Sequence, residues 1–398
     1  MRVALLSRAA YPLHAPGGLE KAVYHLAVHL QARGVDTVLM TRPPTREGVF
    51  PGAVRTVAYD HLPVLRHGRV LDRLLHYPRF ADRLGAAVAD MVRSQDVDVV
   101  HAQGLTALGY GRRRRQDRSL RAPLVMNPQG MEEHKVGGLK GLALTRLRVL
   151  SREAAGLADR VIATDEVTRD EVPRYLGVDP ARVVVLPNGI DPGEIEAQAP
   201  AGAAARADAV ASIEGRGPVF LSVGRLEEYK GFGDVLSALY RAAPGLPAGW
   251  VWLVVGEGPY GARLRRDSQA LGDHVRLLGR MDESLLHALY ARADVFVHAT
   301  RFEGSSLVTL EAMAHGLPVV AARAGGIPDK VVEGETGALF DPGDIETLAT
   351  HLVRVGSSPD ERKRLGANGR ARARERFAWS RIADDTIALY RHLLETAS

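Results

Sequence analysis

The 398-residue chain has no cysteine and no apolar run approaching the roughly eighteen residues of a membrane span. The first absence excludes disulfides, thiolate metal sites and cysteine nucleophiles, and the second argues against a spanning helix. The opening residues, 1–7, have the pattern of a strand. They are too short for a signal peptide and lack a small-residue cleavage site. We therefore expect a cytoplasmic protein.

Acidic residues are scarce in the first half of the chain. Residues 1–190 carry 28 Lys and Arg against 19 Asp and Glu, whereas the whole chain carries 52 against 47. This basic excess predicts an anionic partner, such as a lipid surface or a phosphate-bearing acceptor, and we expect no nucleic-acid partner. The densest basic run, residues 112–115, consists of arginine alone and is typical of a solvated loop.

Strand-like and helix-like segments alternate along both halves, which is typical of parallel, doubly wound α/β domains. We predict a first domain over residues 1–190 and a second over 191–378. The stretch 191–218, rich in Ala, Gly and Pro, is the candidate linker. An amphipathic pattern over 379–398 predicts a final helix. Two such domains facing each other would place a ligand cleft at the carboxyl ends of both sheets.

Two glutamates separated by seven residues, Glu303 and Glu311, flank a turn of small residues that opens a short helix. Free N–H groups at a helix N-terminus bind phosphate, and small residues let the anion approach them. The two acids can reach opposite ends of one ligand, as a nucleotide-sugar has hydroxyl-rich groups on both sides of its diphosphate. A solvated helix with two surface acids is the alternative.

Cations and glycines follow the first strand of each predicted domain. Arg225 and Lys230 lie in the loop where the second sheet should bind its ligand, and their charges suit a diphosphate leaving group. Gly17 and Gly18 follow the first strand of the chain and permit close approach of a ligand to the backbone. Ordinary surface charge and a flexible turn are the respective alternatives.

The order and spacing of these motifs resemble retaining glycosyltransferases of the GT-B fold, in glycosyltransferase family 4 (glycosyl transferases group 1). The matching segments are Gly17-Gly18-x-Glu20, 98–102, 158–163, 186–191, 223–226, Lys230-Gly231, 255–259, Glu303-x7-Glu311 and 325–328. Each segment is weak alone, but together they run from end to end of the chain. The resemblance implies two Rossmann-like domains, with the final helix crossing back to pack on the first.

The resemblance also implies roles for individual residues. Arg225 and Lys230 would hold the diphosphate, and Glu311 would accept hydrogen bonds from the ribose hydroxyls. Glu303 and the amides after it would hold the transferred sugar and diphosphate, while Gly18 would contact the phosphate from the other domain. The predicted catalytic residues are Glu303, Arg225 and Lys230. The predicted donor-binding residues are Gly18, Arg225, Lys230, Glu303, Ser306, Leu307, Val308 and Glu311.

One departure from the family pattern concerns the loop after the strand predicted at 123–126. Many relatives carry a histidine there, whereas this chain has Gln129. Glutamine can hydrogen-bond a sugar hydroxyl but is no base near neutral pH. Gln129, His134 and His101 are therefore the candidates for contact with the acceptor or the sugar. For the two histidines, a structural hydrogen bond is the alternative.

Two motifs typical of other functions lie in unsuitable places. Residues 256–261 match the dinucleotide-binding pattern G-x-G-x-x-G, but they follow the second strand of their domain, and Pro259 removes a backbone donor. Asp96 and Asp98 resemble a metal-binding D-x-D pair, but they precede their strand, on the far side from a carboxyl-end cleft. We predict neither a dinucleotide cofactor nor a metal.

The residues and the resemblance together predict a metal-independent hexosyltransferase that uses a nucleoside-diphosphate sugar, with a UDP-sugar as the expected donor. Retention of anomeric configuration is what the resemblance implies. The leading acceptor is a lipid-linked or other saccharide in envelope polysaccharide or glycolipid synthesis, and a soluble small molecule is second. A nucleotide-sugar epimerase of the same fold and a catalytically silent binding module are the other function classes. Product analysis without acceptor would separate the epimerase from the transferase.

A peripheral membrane contact is a further expectation. The helix predicted over 139–156 has Leu142, Leu147 and Leu150 among basic residues, as in helices that lie on anionic membranes. A helix packed on the core, with solvated arginines, is the alternative.

Overall fold

The computed structural model describes residues 1–15, 17–60, 68–128, 131, 134, 138–197 and 203–397. The strands are β1 (Arg2–Leu6), β2 (Asp36–Thr41), β3 (Ala53–Thr56), β4 (Val99–Gln103), β5 (Leu124–Asn127), β6 (Arg160–Ala163), β7 (Val183–Val185), β8 (Val219–Val223), β9 (Val251–Val255), β10 (Val275–Gly279), β11 (Val295–His298), β12 (Val319–Ala322) and β13 (Gly337–Phe340). The α-helices are α1 (Gly18–Gln31), α2 (Gly68–Arg93), α3 (Ala107–Gln116), α4 (Gly138–Ala143), α5 (Thr145–Leu157), α6 (Glu166–Leu176), α7 (Pro192–Ala197), α8 (Ala203–Ala211), α9 (Phe232–Ala242), α10 (Gly261–Asp267), α11 (Glu283–Arg292), α12 (Leu307–Ala314), α13 (Ile327–Lys330), α14 (Ile345–Ser357), α15 (Pro359–Arg376) and α16 (Trp379–Ala397).

The chain divides into two compact units, one of residues 1–188 with 379–398 and the other of residues 189–378. The first holds a seven-stranded sheet in the order β3-β2-β1-β4-β5-β6-β7, and the second a six-stranded sheet in the order β10-β9-β8-β11-β12-β13. Every strand pair is parallel. These two Rossmann-like sheets confirm the predicted α/β fold class.

Mainly apolar sequence explains the central strands. All five residues of β8 and all five of β9 are buried, as expected for strands covered by helices on both faces. The strand order reverses between β1 and β4 in the first unit and between β8 and β11 in the second. At such a point neighbouring crossovers leave on opposite faces, and the loops at the carboxyl ends leave room for a ligand.

Helix α16 belongs to the first unit although it follows the second in sequence. Trp379 stacks on His25 with ring centroids 6.0 Å apart, and Arg33 pairs with Asp384. This confirms the expectation that the last helix packs on the first domain.

Within the stretch expected as a linker, residues 192–197 and 203–211 are helical. It contains α7 and α8, and Ile195, Ala207 and Ile213 are buried in the core of the second unit. The prediction was wrong because alanine, which is common in linkers, is also the best helix former, and α8 is mostly alanine. The strands β3 and β13, of four residues each, were not expected.

The arginines of residues 112–115 lie at the end of α3 rather than in a loop. Arg112, Arg113 and Arg114 pair with Glu153, Asp82 and Asp159 respectively. These acids neutralise most of the run, which therefore does not form a free anion-binding surface.

The helix expected over 139–156 is two helices, α4 and α5, with Leu144 between them. Leu147 is buried and Leu150 packs against the core, whereas Leu142 and Val149 are exposed. The core-packed alternative therefore holds for two of the three leucines. Among the helices of the described segments, none is both long and apolar enough to cross a membrane.

Gly109 of α3 allows helices α2 and α3 to pack closely. A Cβ on Gly109 would lie 2.0 Å from the carbonyl oxygen of Ala81, whereas a Cβ on Gly156, in α5, would meet nothing within 4 Å. Gly109→Ala should therefore lower the free energy of unfolding by about 1–3 kcal/mol through overpacking. Gly156→Ala should be neutral or stabilising by up to about 1 kcal/mol. Urea denaturation of both variants checks this, and equal effects would contradict the packing described here.

Candidate functional site

The predicted donor-site residues of the second unit lie at its strand-order reversal. Strand β8 pairs directly with β11, and the loops that follow them carry Lys230 and Glu303. Gly231 ends the first loop with a φ of 72°, and a Cβ there would lie 1.9 Å from the carbonyl oxygen of Ala299. The glycine thus lets the two loops pack closely, which brings the ammonium and the carboxylate together.

The centre of the site is a buried carboxylate with two donors. Oε2 of Glu303 accepts hydrogen bonds from Nζ of Lys230 at 2.8 Å and from Nε2 of His298 at 2.9 Å. The side chains of Lys230 and Glu303 are only 16% and 14% exposed, so water screens the pair weakly. His298 is the last residue of β11 and was not predicted. A polar side chain at the carboxyl end of a central strand was the signal that could have found it.

The Glu303 carboxylate is ionised throughout the physiological range. Burial alone would raise its pKa, but hydrogen bonds and charge from His298 and Lys230 outweigh burial and lower the pKa from 4.5 to about 2. A carboxylate held this way is a stable negative charge and a weak base.

Glu311 has its own buried partner. The hydroxyl of Tyr290, on α11, donates to Oε2 of Glu311 at 3.1 Å. Burial and the charge of Glu311 raise the pKa of Tyr290 well above its usual value, so the hydroxyl stays protonated. The Tyr290 ring stacks on His315, whose Nε2 lies 2.8 Å from Nδ1 of His287. Burial, with the neighbouring charges, lowers the pKa of His315 to about 3, which keeps that ring neutral.

The N-terminus of α12 follows the first glutamate. Ser306 is its N-cap and is 2% exposed, and its hydroxyl shares a hydrogen bond with Thr309 at 2.8 Å. Leu307 and Val308 open the helix, where backbone N–H groups have no acceptor within the helix. Gly325, at a φ of 51°, packs on the loop: its Cβ would lie 1.8 Å from the carbonyl oxygen of Glu303. The 325–328 motif thus supports the loop that carries the carboxylate.

Arg225 is not joined to the buried cluster. Its guanidinium is 63% exposed and pairs with Glu227 at 3.0 Å. The glycines of the G-x-G-x-x-G match support its loop, since a Cβ on Gly256 would lie 1.9 Å from the carbonyl oxygen of Gly224, and one on Gly258 would lie 2.3 Å from that of Leu226. Close backbone packing therefore explains the glycines of this motif, and a dinucleotide is not needed to explain them.

The first unit has a cavity of about 140 Å³ at its own strand-order reversal. It is lined by Arg8 after β1, by Gln103 at the end of β4, by Pro128 after β5 and by Glu20 of α1, among others. The Arg8 guanidinium lies over the Tyr77 ring, 5.2 Å from its centroid. Gly18 is exposed and is the first residue of α1.

Two of the three predicted acceptor contacts can be placed, and Gln129 lies outside the described residues. His101 is 2% exposed, and its Nδ1 lies 2.6 Å from the Tyr390 hydroxyl. Burial lowers the pKa of His101 to about 4. Its Nε2 lies 3.4 Å from the amide nitrogen of Gln103, which lines the cavity, whereas His101 is not among the lining residues. Its contact with the acceptor or the sugar stays a prediction.

His134 lies against the ring of Tyr175, with centroids 5.6 Å apart. It is not among the residues that line the cavity of the first unit. Asp98 accepts a hydrogen bond from the backbone N–H of Arg2 at 2.7 Å, which ties β1 to β4 at their amino ends. The D-x-D segment thus lies at the edge opposite the cavity, as its position in the sequence indicated.

Known proteins resemble this chain in both sequence and fold. The model of Glycosyltransferase Family 4 matches residues 16–194, and that of Glycosyl transferases group 1 matches residues 205–372. The D-inositol 3-phosphate glycosyltransferase of Actinosynnema mirum is 32% identical, over 98% of this chain and 96% of that protein. The structure of sucrose-phosphate synthase from Thermosynechococcus elongatus has a TM-score of 0.78 at 25% identity, over 99% of both chains. HepE of Anabaena, in complex with UDP-glucose, shares the fold with a TM-score of 0.71 at 20% identity, over 98% of this chain and 99% of that one.

The depressed pKa of Glu303 predicts a pH-dependent contribution to stability. Glu303→Gln should lower the free energy of unfolding at neutral pH by about 2 kcal/mol, the scale of hydrogen bonds to a charged group. Because the folded pKa of about 2 lies below the usual 4.5, this contribution is present above pH 4.5 and is lost as the pH falls towards 2. Urea denaturation at neutral and acidic pH should show the difference from wild type shrinking with acid.

The matched control is Glu228→Gln, because the Glu228 side chain is 82% exposed. It should change stability little at any pH. A Glu303→Gln difference that is independent of pH would mean that the carboxyl is not held as described.

Proposed function

Since the chain belongs to glycosyltransferase family 4 and is a glycosyltransferase, we propose that it moves a sugar from a nucleoside-diphosphate sugar to an acceptor hydroxyl with retention of anomeric configuration. The observation that carries the proposal is the buried Lys230–Glu303 pair, which places opposite charges at the carboxyl edge of the second sheet. The transferred sugar of such a donor develops positive charge, and its diphosphate negative charge, as the bond between them breaks.

In this proposal Lys230 and Arg225 stabilise the departing diphosphate, together with the N–H groups of Leu307 and Val308. An ammonium has three N–H donors, so Lys230 can keep its bond to Glu303 and still donate to a phosphate oxygen. Arg225 is exposed and pairs only at the surface, which leaves its guanidinium accessible to a ligand. Preorganised donors aimed at developing charge are the largest single source of rate enhancement in many enzymes.

Glu303 acts as a fixed negative charge beside the sugar. With a pKa of about 2, it is too weak a base to take the acceptor proton. A phosphate oxygen, whose second pKa is about 6, is the stronger base. We infer that the acceptor oxygen forms a bond to the anomeric carbon while the bond between that carbon and the phosphate oxygen breaks. The proton of the acceptor hydroxyl passes to the leaving phosphate on the same face of the sugar.

The nucleoside is assigned to Glu311. Tyr290 holds the Glu311 carboxylate through Oε2, and in this proposal that positioned carboxylate accepts hydrogen bonds from the ribose hydroxyls. A UDP-sugar is the first donor to test, alongside GDP-, ADP- and dTDP-sugars in a thermal-shift screen followed by turnover assays. Stabilisation by none of these donors would remove the basis of the proposal.

The acceptor is assigned to the cavity of the first unit, with Arg8, Glu20 and Gln103 as polar contacts. A volume of about 140 Å³ suits one sugar-sized group rather than an extended chain. We propose a saccharide hydroxyl as the acceptor. If the saccharide is lipid-linked, the exposed Leu142 of α4 and Val149 of α5 are the apolar residues that we assign to peripheral membrane contact. Gln129 would then orient the acceptor or the sugar without exchanging a proton.

Removing the buried cation should cost turnover. Lys230→Ala deletes a donor to the departing diphosphate, and we expect kcat to fall by about 100-fold or more. Lys363→Ala is the matched control, since Lys363 is exposed on α15 and should leave kcat unchanged. Steady-state kinetics with the donor selected by the screen measure both. Equal, small effects would place the diphosphate elsewhere.

Activity should survive a chelator. In this proposal Lys230, Arg225 and the N-terminus of α12 supply the positive charge that a metal ion would otherwise supply. Turnover measured after treatment with EDTA should match that of the untreated enzyme. Complete loss that magnesium or manganese restores would show that these groups do not suffice.

A further inference from the structure

An arginine-lined concavity lies at the opposite edge of the first sheet from the cavity. We call it the arginine cleft, and its volume is about 890 Å³. Pro123, Asp159 and Arg182 line it and directly precede β5, β6 and β7, so it lies at the amino ends of these strands. Leu393 and Thr396 of α16 close one side. The sequence pointed to it only through Arg114, which belongs to the basic run at 112–115.

The cleft collects positive charge from separate parts of the chain. The arginines that line it are Arg114, Arg118, Arg121, Arg160 and Arg182. Among the described residues that line it, Asp159 is the one acid. Its carboxylate already pairs with Arg114 and accepts a hydrogen bond from the backbone N–H of Leu124 at 2.7 Å. One acid cannot neutralise the remaining four guanidinium groups that line the same concavity.

Some of these arginines have structural roles. Arg182 donates to the carbonyls of Ala155, Gly156 and Ala158, which caps the C-terminus of α5. Arg160 donates to the carbonyl oxygen of Asp159 at 3.0 Å. Carbonyls orient these guanidinium groups but cancel no net charge.

Arg118 and Arg121 differ from the others. Both are exposed, and neither side chain has a partner among the residues that the structure describes. Their neighbours at the end of α3, Arg112 and Arg113, are each paired with an acid. Unpaired like charges converging on a concave surface repel one another, and an anion relieves that repulsion.

We propose that the arginine cleft binds a soluble ligand carrying a diphosphate or two phosphate groups, at a site separate from the donor and acceptor sites. Arginine forms bidentate bonds to phosphate oxygens, and the volume lies in the range of small-molecule pockets. The large apolar residues that line the cleft, such as Leu120, are not exposed, which favours a soluble ligand over a lipid surface. A ligand here would not compete with an acceptor at the other edge of the sheet.

The test uses inorganic pyrophosphate and isothermal titration calorimetry at low ionic strength. All proteins carry Arg225→Ala and Lys230→Ala, so that pyrophosphate bound in the second unit does not contribute and the result does not rest on the proposed function. Arg118→Ala/Arg121→Ala should weaken binding by about tenfold or more, because two charge-assisted contacts are lost. The matched control is Arg46→Ala/Arg55→Ala, which removes the same charge from exposed sites elsewhere on the first unit. It should change affinity less than about twofold.

Equal affinities for the two double variants would overturn the proposal, and thermal midpoints of both verify that each is folded. A second arm measures co-sedimentation with vesicles of phosphatidylglycerol and phosphatidylcholine in equal parts. If the cleft variant loses vesicle binding but keeps pyrophosphate affinity, the cleft is a lipid-binding surface and the soluble ligand is refuted. Loss of pyrophosphate affinity, with or without loss of vesicle binding, supports the proposal.

Discussion

The ion pair between Lys230 and Glu303 is the constraint around which the second unit is organised. Its two partners are far apart in sequence and meet only because β8 and β11 are neighbours in a parallel sheet. The close approach needs Gly231 against the end of β11 and Gly325 against the Glu303 backbone. Breaking a buried ion pair leaves an uncompensated charge, so a substitution that displaces either loop destabilises the whole site.

This arrangement has a chemical consequence. A glycosyltransferase must stabilise a cation-like sugar and an anionic leaving group at once. In the proposed reaction, a buried carboxylate and ammonium held in contact supply both charges before any substrate arrives. The cost of burying them is met by His298, which provides a second hydrogen bond to the carboxylate and keeps it ionised. The same donors make the carboxylate a poor base, which leads to the proposal that the leaving phosphate accepts the proton.

Much of this could be predicted from the sequence, for identifiable reasons. Alternating strand and helix patterns define a parallel sheet, and a parallel sheet places its functional loops at the carboxyl ends of its strands. Lys230, Glu303 and Glu311 follow strands at suitable positions, so their place in the fold could be expected. Their mutual contacts could not, since hydrogen-bond geometry depends on side-chain packing.

The contacts that the sequence did not predict share a physical cause, which is that they depend on tertiary packing. Tyr290 reaches Glu311 because α11 packs beside α12, and nothing in its local sequence indicates that partner. Arg112 and Arg113 meet acids 41 and 31 residues away, so a run that is basic in sequence is largely neutralised in space. The orientation of Leu147 also depends on tertiary packing, because an amphipathic stripe fits a core as well as it fits a membrane.

The assignment of the nucleoside to Glu311 is tested most directly by calorimetric binding of a nucleoside diphosphate and its 2′,3′-dideoxy analogue. Wild type and Glu311→Gln are compared, with the base chosen by the donor screen. Loss of the ribose hydroxyls should weaken binding to wild type by about tenfold or more, since bonds to a carboxylate are lost. The same loss should matter little to Glu311→Gln, because the charged acceptor is already absent. Equal losses in both proteins would show that the ribose does not bind Glu311 and would contradict the placement of the donor.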